Sequence, residues 1–428
     1  MDKNILDFGA VADGKTLNTL AIQAAIDECA AEGGGRVTIP AGVYKCGTVW
    51  LKSHVELCLS IGAELLASDD LDDYNAEDAY PQNYGYAPEG WVGKHLIIAH
   101  EVSDVAISGF GRINGNCHAF VTEGPSRPGA QYGWCNGRSE LRDPEAMRPG
   151  QLIVFIESEH IRVQDITIVD SPCWSCFFLG CEYVGVRGVR IFNPLWMLNS
   201  DGIDIDASRH VTVSDCIIRT GDDAITLRAS ETRVLNKKDM HCEFVTVSNC
   251  ILSTGICAFR IGVGNGVIRH ARIQGIVIER CMNAVELCTA YSDRGKASIE
   301  DIGVSDITAV NTDRCINAFA KNGAYIKDIT LDNIRSGSTI NNRIVRECGS
   351  IENITLKNIS LNFNDKYPRS ELSEVSLEKR GNSLVSLVGI DGLTLDGVNI
   401  TGSLDGIEAV LDERECTDSE KRGCRFPD

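Results

Sequence analysis

The chain has no run of about 18 consecutive apolar residues, so nothing in it reads as a membrane-spanning helix. Positive charge is scarce: 41 Lys and Arg stand against 60 Asp and Glu, a formal net charge of −19. Such a field repels polyanions and anionic lipid surfaces, which sets nucleic acid and membranes aside as partners. It does not fix the charge of a small ligand, because a few arginines in a cleft outweigh a distant net sign. The first residues, Met1-Asp2-Lys3-Asn4-Ile5-Leu6-Asp7, lack the basic and then apolar stretches of a secretory leader. The expected location is the cytoplasm, or outside the cell if a leader was removed before the numbering began. Helical 3.6-residue periodicity is missing from most of the chain, as is regular leucine spacing, which removes helical and leucine-rich solenoids. The composition is not that of a disordered chain either: 43% hydrophobic and 24% charged residues are ordinary for a folded protein.

What the chain does have is cysteine, 18 in all. In a short secreted domain these would form a disulfide framework. In 428 residues without a leader they read as reduced, small, apolar core residues. Cys216, Cys250, Cys281 and Cys288 sit inside apolar runs, as burial requires. Cys173 and Cys176 have the spacing of a redox or metal pair, but no second pair accompanies them, so burial is the better reading.

The dominant feature is an internal repeat. A short alternating apolar segment, then Asp, Asn or Gly, then a second such segment recurs through most of the chain. Copies include HIRVQDITIVD from His160, HVTVSDCIIRTG from His210, FVTVSNCILSTG from Phe244 and SIENITLKNISL from Ser350. The period-two alternation predicts strands, and the central polar or glycine residue supplies turn chemistry. One such unit cannot bury its apolar face alone, whereas stacked coils share a continuous core. The fold expected is all-β: a single-stranded right-handed parallel β-helix forming one domain over 1–428. A helix with Ile22, Ile26, Cys29 and Ala30 on one face should cap the first coil within about residues 1–50, ended by Gly33-Gly34-Gly35. Residues 74–93, 122–150 and 364–382 should be excursions, and about 413–428 a polar, loosely ordered tail.

One segment reads Asn199-Ser200-Asp201-Gly202-Ile203-Asp204-Ile205-Asp206, and Gly221-Asp222-Asp223 follows about one coil later. Positions one coil apart stack at about 4.8 Å along such a solenoid. Asp201 should therefore lie beside Asp222 and Asp223. Three packed carboxyls repel one another, so at least one should hold a proton near neutrality unless a cation intervenes. A protonated acid beside ionised bases is the equipment of glycosidic bond hydrolysis. A lone Asp in a coil turn usually caps backbone, and Asp204 and Asp206 fit that plainer role.

These residues belong to a wider pattern. The opening DFGAVADGKTLNTLAIQAAIDECAAEGGGRVTIPAGVY, the segments GFGRINGN from Gly109 and SPCWSCFF from Ser171, Arg148-Pro149, NSDGIDID from Asn199 and TGDDAITLR from Thr220 together resemble glycoside hydrolase family 28, the polygalacturonase-like enzymes. The resemblance implies an inverting hydrolase without metal or other cofactor, with its cleft across one sheet of the β-helix. It implies that Asp222 is the general acid and that Asp201 and Asp223 hold the attacking water. Asn199 and Trp174, in the same motifs, become candidate substrate contacts. Arg228 either meets a substrate carboxylate or balances the aspartates.

Two family features are missing. Where the family carries Gly-His-Gly, this chain reads Ser253-Thr254-Gly255-Ile256-Cys257-Ala258-Phe259-Arg260-Ile261-Gly262, with no histidine and with Cys257 or a neighbour in the slot. Where the family carries Arg-x-Lys to grip a galacturonate carboxylate, the stretch from Asn283 to Tyr291 has no such pair. Arg260 and Arg294 are candidate substitutes, Arg260 alternatively serving in a structural ion pair, and Glu286 is a candidate contact to sugar hydroxyls. The expected activity is exo-acting hydrolysis of pectin-derived or related oligosaccharides by a monomer or small homo-oligomer. A uronic-acid lyase or epimerase, or a non-catalytic carbohydrate-binding β-helix, are the alternatives.

Overall fold

The computed structural model describes residues 2–79, 81, 91–124, 139–143, 147–230, 234–236, 240–290, 295–364 and 382–427. The chain is a right-handed parallel β-helix. One of its sheets runs through Ile97–His100, Ile153–Ile156, Cys176–Leu179, Ile203–Asp206, Ile225–Ala229 and Cys257–Gly264, each strand parallel to the next. It continues through Val267–Cys288 and Ser298–Ala320 to Asn342–Arg346 and Ser383–Val388. Along each strand the residues alternate between the core and the outer face. Cys176, Phe178, Ile203, Ile205, Ile225, Leu227, Phe259 and Ile261 point inward and are buried in a single apolar column.

The polar residue between the two halves of each repeat makes the corner. Asp165, Asp215, Asn249, Asp306, Asn333 and Asn358 all have positive φ, between 51° and 62°. Short polar side chains tolerate this left-handed conformation better than apolar ones. They also bond between coils: Asn333 Nδ2 donates to Asp306 Oδ1 at 2.6 Å, and Asn358 Nδ2 to Oδ1 of Asp332, the residue before the Asn333 corner, at 3.0 Å. A second left-handed column carries rings. His160, Tyr183, His210, Phe244 and His270 stack face to face with centroids 4.9 to 5.2 Å apart.

The capping helix spans Thr19–Ala31 and buries Ile22, Ala25, Ile26 and Cys29. Ala25 takes the inward place expected of Ala30, which is only partly buried. The helix packs on Gly35–Ile39, Val49–Trp50 and Val55–Leu59, the first rungs of the solenoid. At its end Gly34 has a φ of 100°, and a Cβ there would lie 2.4 Å from the His54 carbonyl oxygen, so the chain can turn back only as glycine. The expected loose tail is instead paired. Ala409–Arg414 lies parallel to Ser383–Val388, and Glu420–Arg422 to Asp391–Asp396. Its polarity reflects exposure on the last rungs, not loss of structure.

Among the described residues, parts of the excursions form short strands. Val121–Glu123 pairs antiparallel with Ser139–Leu141, and Trp91–Val92 pairs with Arg148–Pro149. Ser139 Oγ donates to the Trp196 carbonyl at 2.6 Å and accepts from Leu198 N at 2.8 Å. The hairpin is thereby tied to the segment just before Asn199. Most of 364–382 lies outside the described residues.

Because the core is one column of layered side chains, a hole in one layer cannot be filled from the next. Phe155 and Phe178, both fully buried, stack at 5.0 Å between adjacent rungs. Phe178→Ala is expected to cost about 3–5 kcal/mol of unfolding free energy. Chemical denaturation measures it, and a loss below about 1 kcal/mol would mean that the rungs repack freely.

Candidate active site

The register of the sheet builds the site. Ile203 pairs with Ile225, Ile225 with Phe259, Phe259 with Val285, and Val285 with Ile316. Two residues earlier on each rung stand Asp201, Asp223, Cys257, Asn283 and Arg314, which form one column at the corner. One residue later on each rung stand Asp204, Thr226, Arg260, Glu286 and Asn317, which form the neighbouring outward column, continued by Arg343. Before this point the outer face is apolar and covered, by Val154, Phe177, Ile156 and Leu179 packed with Trp174, Val234 and Met240. The polar columns begin where that cover ends.

Asp201, Asp222 and Asp223 come together as their spacing implied: one carboxylate oxygen from each lies within 4.8 Å of the others. Asp201 and Asp223 are buried, whereas Asp222 is partly exposed. Asp222 Oδ2 accepts the Asn199 N–H at 3.3 Å and Oδ1 accepts the Asp223 N–H at 3.0 Å. Its carbonyl is held by the hydroxyls of Thr220, at 2.6 Å, and Thr254. Burial, and then the charges of Asp222, Asp204 and Asp223, raise the Asp201 carboxyl well above the ordinary carboxylate range. Asp201 Oδ1 is buried without a hydrogen-bond partner among the described residues.

Asp223 is the most tightly held of the three. It accepts the Cys257 N–H at 3.0 Å and faces Arg260, whose Nε meets Oδ2 and whose Nη2 meets Oδ1 at 3.1 Å. Arg260 Nη1 bonds Glu286 Oε1. Glu286 Oε2 accepts from Asn317 Nδ2 at 2.8 Å and from Asn283 Nδ2. Both Glu286 oxygens are therefore engaged inside the protein, which corrects the expectation that this residue meets sugar hydroxyls. Of the two roles open to Arg260, the ion pair is the one it plays. Cys257 is the residue one rung beyond Asp223, in the place without a histidine, and burial pushes its thiol pKa well up.

Asn199 has a φ of 51°, and its side-chain oxygen accepts from Arg148 Nη2 at 2.8 Å. Arg148 also holds the carbonyls of Pro172, at 2.6 Å, and Leu198, at 2.7 Å. Trp174, a candidate substrate contact, is enclosed by the protein. It is 4% exposed, and the Arg228 guanidinium lies over its ring, 4.3 Å from the centroid. Arg228 stands over the ring with Nε 3.9 Å from Asp204 Oδ1, on the side of the role that balances the aspartates. Arg294 lies outside the described residues.

Asp206 behaves as a cap, accepting the Ser230 N–H at 2.6 Å. Asp204 does not: neither of its oxygens has a hydrogen-bond partner among the described residues. Burial, opposed by Arg228, pushes its pKa up to about 8. Sequence reasoning also passed over two arginines in the later rungs. Arg314, buried, has its pKa lowered to about 9, chiefly by desolvation. Arg343, half-buried, donates to Asn317 Oδ1 at 2.7 Å. Basic residues after a missing motif were the only signal for them.

Among the described residues, two donor groups are compact enough for a cation: the three aspartates, and Cys117, His118 and Asp170. In the first, the charge a cation would neutralise is already met at Asp223 by Arg260.

The family model described as Glycosyl hydrolases family 28 matches residues 29–386. A "Probable polygalacturonase" of Vitis vinifera is 27% identical over 336 residues, 76% of this chain and 59% of its own length. An "Exo-poly-alpha-D-galacturonosidase" of Dickeya chrysanthemi is 29% identical over 266 residues, 55% of this chain and 43% of its own. The chain thus spans well under two thirds of either relative. The structure of the Yersinia enterocolitica family 28 exopolygalacturonase superposes with a TM-score of 0.67 at 22% identity, covering 97% of this chain and 78% of that one. The Thermotoga maritima exopolygalacturonase gives 0.66 at 20%, covering 85% and 88%. At these identities the likeness is one of fold.

The buried acids tie stability to pH. Between the ordinary value of 3.8 and about 8, Asp204 is protonated in the folded protein and ionised in the unfolded chain. The folded state binds the extra proton, so its contribution is full at low pH and is lost as pH rises through that window. Asp201 acts in the same direction. At about 1.4 kcal/mol per tenfold, the Asp204 contribution is a few kcal/mol. Thermal melts should show a lower Tm at pH 8 than at pH 5, and Asp204→Asn should flatten that slope. An unchanged slope in the variant would refute the buried neutral carboxyl.

Proposed function

The chain belongs to glycosyl hydrolases family 28, and on that premise we propose that it is an exo-acting, inverting hydrolase of pectin-derived oligosaccharides. The observation that supports this most is the trio of carboxyls within 4.8 Å, at the point where the apolar cover of the sheet gives way to a polar face.

Asp222, the partly exposed member, is the one able to reach a glycosidic oxygen from the cleft and protonate it. Asp201 and Asp223 lie behind it and hold the attacking water, and the unpartnered Asp201 Oδ1 offers that water an acceptor. In the usual inverting arrangement the acid and base stand roughly 6.5–9.5 Å apart to admit water. The spacing here is shorter, and taken alone it would suit a retaining enzyme. The inverting reading rests on two acids sharing the water beside the third, so product stereochemistry is the decisive readout.

The exo reading is supported by the ordered hairpin of Val121–Glu123 and Ser139–Leu141. It is anchored through Ser139 to Trp196 and Leu198, beside Asn199, and so walls the cleft next to the aspartates. The exopolygalacturonases with which the chain shares its fold are named for the same mode of action.

Asp222→Asn is expected to lower kcat by about 10²–10⁴-fold with KM little changed, as for loss of a general acid. Reducing-end release from pectic oligosaccharides measures it, and proton NMR of the first product formed should show the inverted anomer. A retained anomer, or mid-chain products from a long polymer, would overturn the corresponding part of the reading.

A further inference from the structure

We infer that Arg260, oriented by Glu286, is the positioning residue of the aspartate cluster, a permanent cation set against Asp223 in the place where the chain carries no histidine. The inference rests on the hydrolase reading for what the cluster does, and on geometry alone for how the cluster is held.

All three guanidinium nitrogens are committed, and unequally. Nε and Nη2 form a fork on the two oxygens of Asp223, and Nη1 goes to Glu286. Such a fork fixes the plane of a carboxylate as well as its distance, which a lysine cannot do. Glu286 is in turn fixed by Asn283 and Asn317, and Asn317 accepts from Arg343. A chain of hydrogen bonds therefore runs along the outward column from Asp223 through Arg260, Glu286 and Asn317 to Arg343. Asp223, Arg260 and Glu286 are 2%, 5% and 5% exposed, so water neither screens these contacts nor substitutes for them.

A buried ion pair alone is weak evidence of stabilisation, since an apolar pair of similar volume often serves as well. Its placement here is what carries the argument. The charged groups around it are Asp201 and Asp222 beside Asp223, Asp204 with Arg228 on the preceding rung, Cys257 at the corner, and Arg314 beyond Glu286. Arg228 lies 3.9 Å from Asp204, and Arg314 donates to Asn341, while Arg260 is bonded directly to Asp223. A guanidinium keeps its proton at any working pH, whereas an imidazole titrates near neutrality. Arg260 thus presents Asp223 with a fixed positive charge, while burial and the neighbouring carboxyls raise the carboxyl of Asp201 beside it.

The test uses the full chain with Arg260→Gln/Glu286→Gln, which removes both buried charges together, and with Arg260→Lys as the conservative variant. Circular dichroism first establishes that each is folded. The titration of Asp223 is then followed by NMR on protein with ¹³C-labelled aspartate carboxyls, its resonance identified by loss in Asp223→Asn. Loss of an opposite charge at this distance should move that titration up by about 1–3 pH units in the double variant. Arg260→Lys should restore most of the position. On an active substrate, the acidic limb of kcat/KM should move the same way, with kcat reduced and KM little affected. A folded double variant whose Asp223 titrates as in the wild type would overturn the inference, whether or not a substrate has been found. Absence of turnover by the wild type on every pectic oligosaccharide would count against the hydrolase reading and leave the NMR result standing by itself.

Discussion

The parallel backbone hydrogen bonding between successive coils is the constraint on which everything else depends. It fixes which residue lies over which, and it does so with the spacing of a sheet, too short for neighbouring side chains to ignore one another. Asp201 and Asp223 share a column because Ile203 pairs with Ile225. Arg260 lies one rung beyond Thr226, close to Asp223, because Phe259 pairs with Ile225. The apolar residues on the inner face hold that register, since a slip of one residue would turn the whole inward set outward. Chemistry on the outer face is thus positioned by packing on the inner one.

The same geometry explains the electrostatics. Stacked carboxyls cannot all ionise at such separations, and each is given a different answer by its surroundings. Asp223 meets a cation, Asp201 meets other carboxyls and little water, and Asp222 reaches solvent. Three residues of one type acquire distinct roles from their neighbours. Asp204, which sits under Arg228 without a hydrogen bond, extends the acidic cluster by one more buried group.

The repeat was legible in the sequence because alternation and turn residues are local signals. So was the trio, since Asp201 stands about one coil before the Asp222–Asp223 pair and the coil length could be read from the repeats. What could not be read was the direction and covering of individual side chains. Trp174 reads as a candidate substrate contact until Arg228 is seen lying on it. Glu286 and Arg260 seemed available to a ligand, but the outward face carries both of them in one column, where they satisfy each other. Arg148 and Asn199 are 51 residues apart in sequence and meet only because the loops of two coils converge. The tail misled for a different reason: its strands bury few side chains, so they lack the apolar alternation by which the other strands were found.

The outward polar column has a consequence for how such a protein can change. Each of its positions is backed by the same scaffold, and the rungs differ mainly in what they display. A replacement in one row can therefore be answered by a replacement in the row above or below, with no movement of the main chain. What one row does not carry, the next can supply: Arg260, three residues on from Cys257 and in the adjacent file, reaches Asp223. Divergence in this architecture resembles resetting type in a fixed frame, and a motif defined by consecutive letters can vanish while the arrangement it served persists.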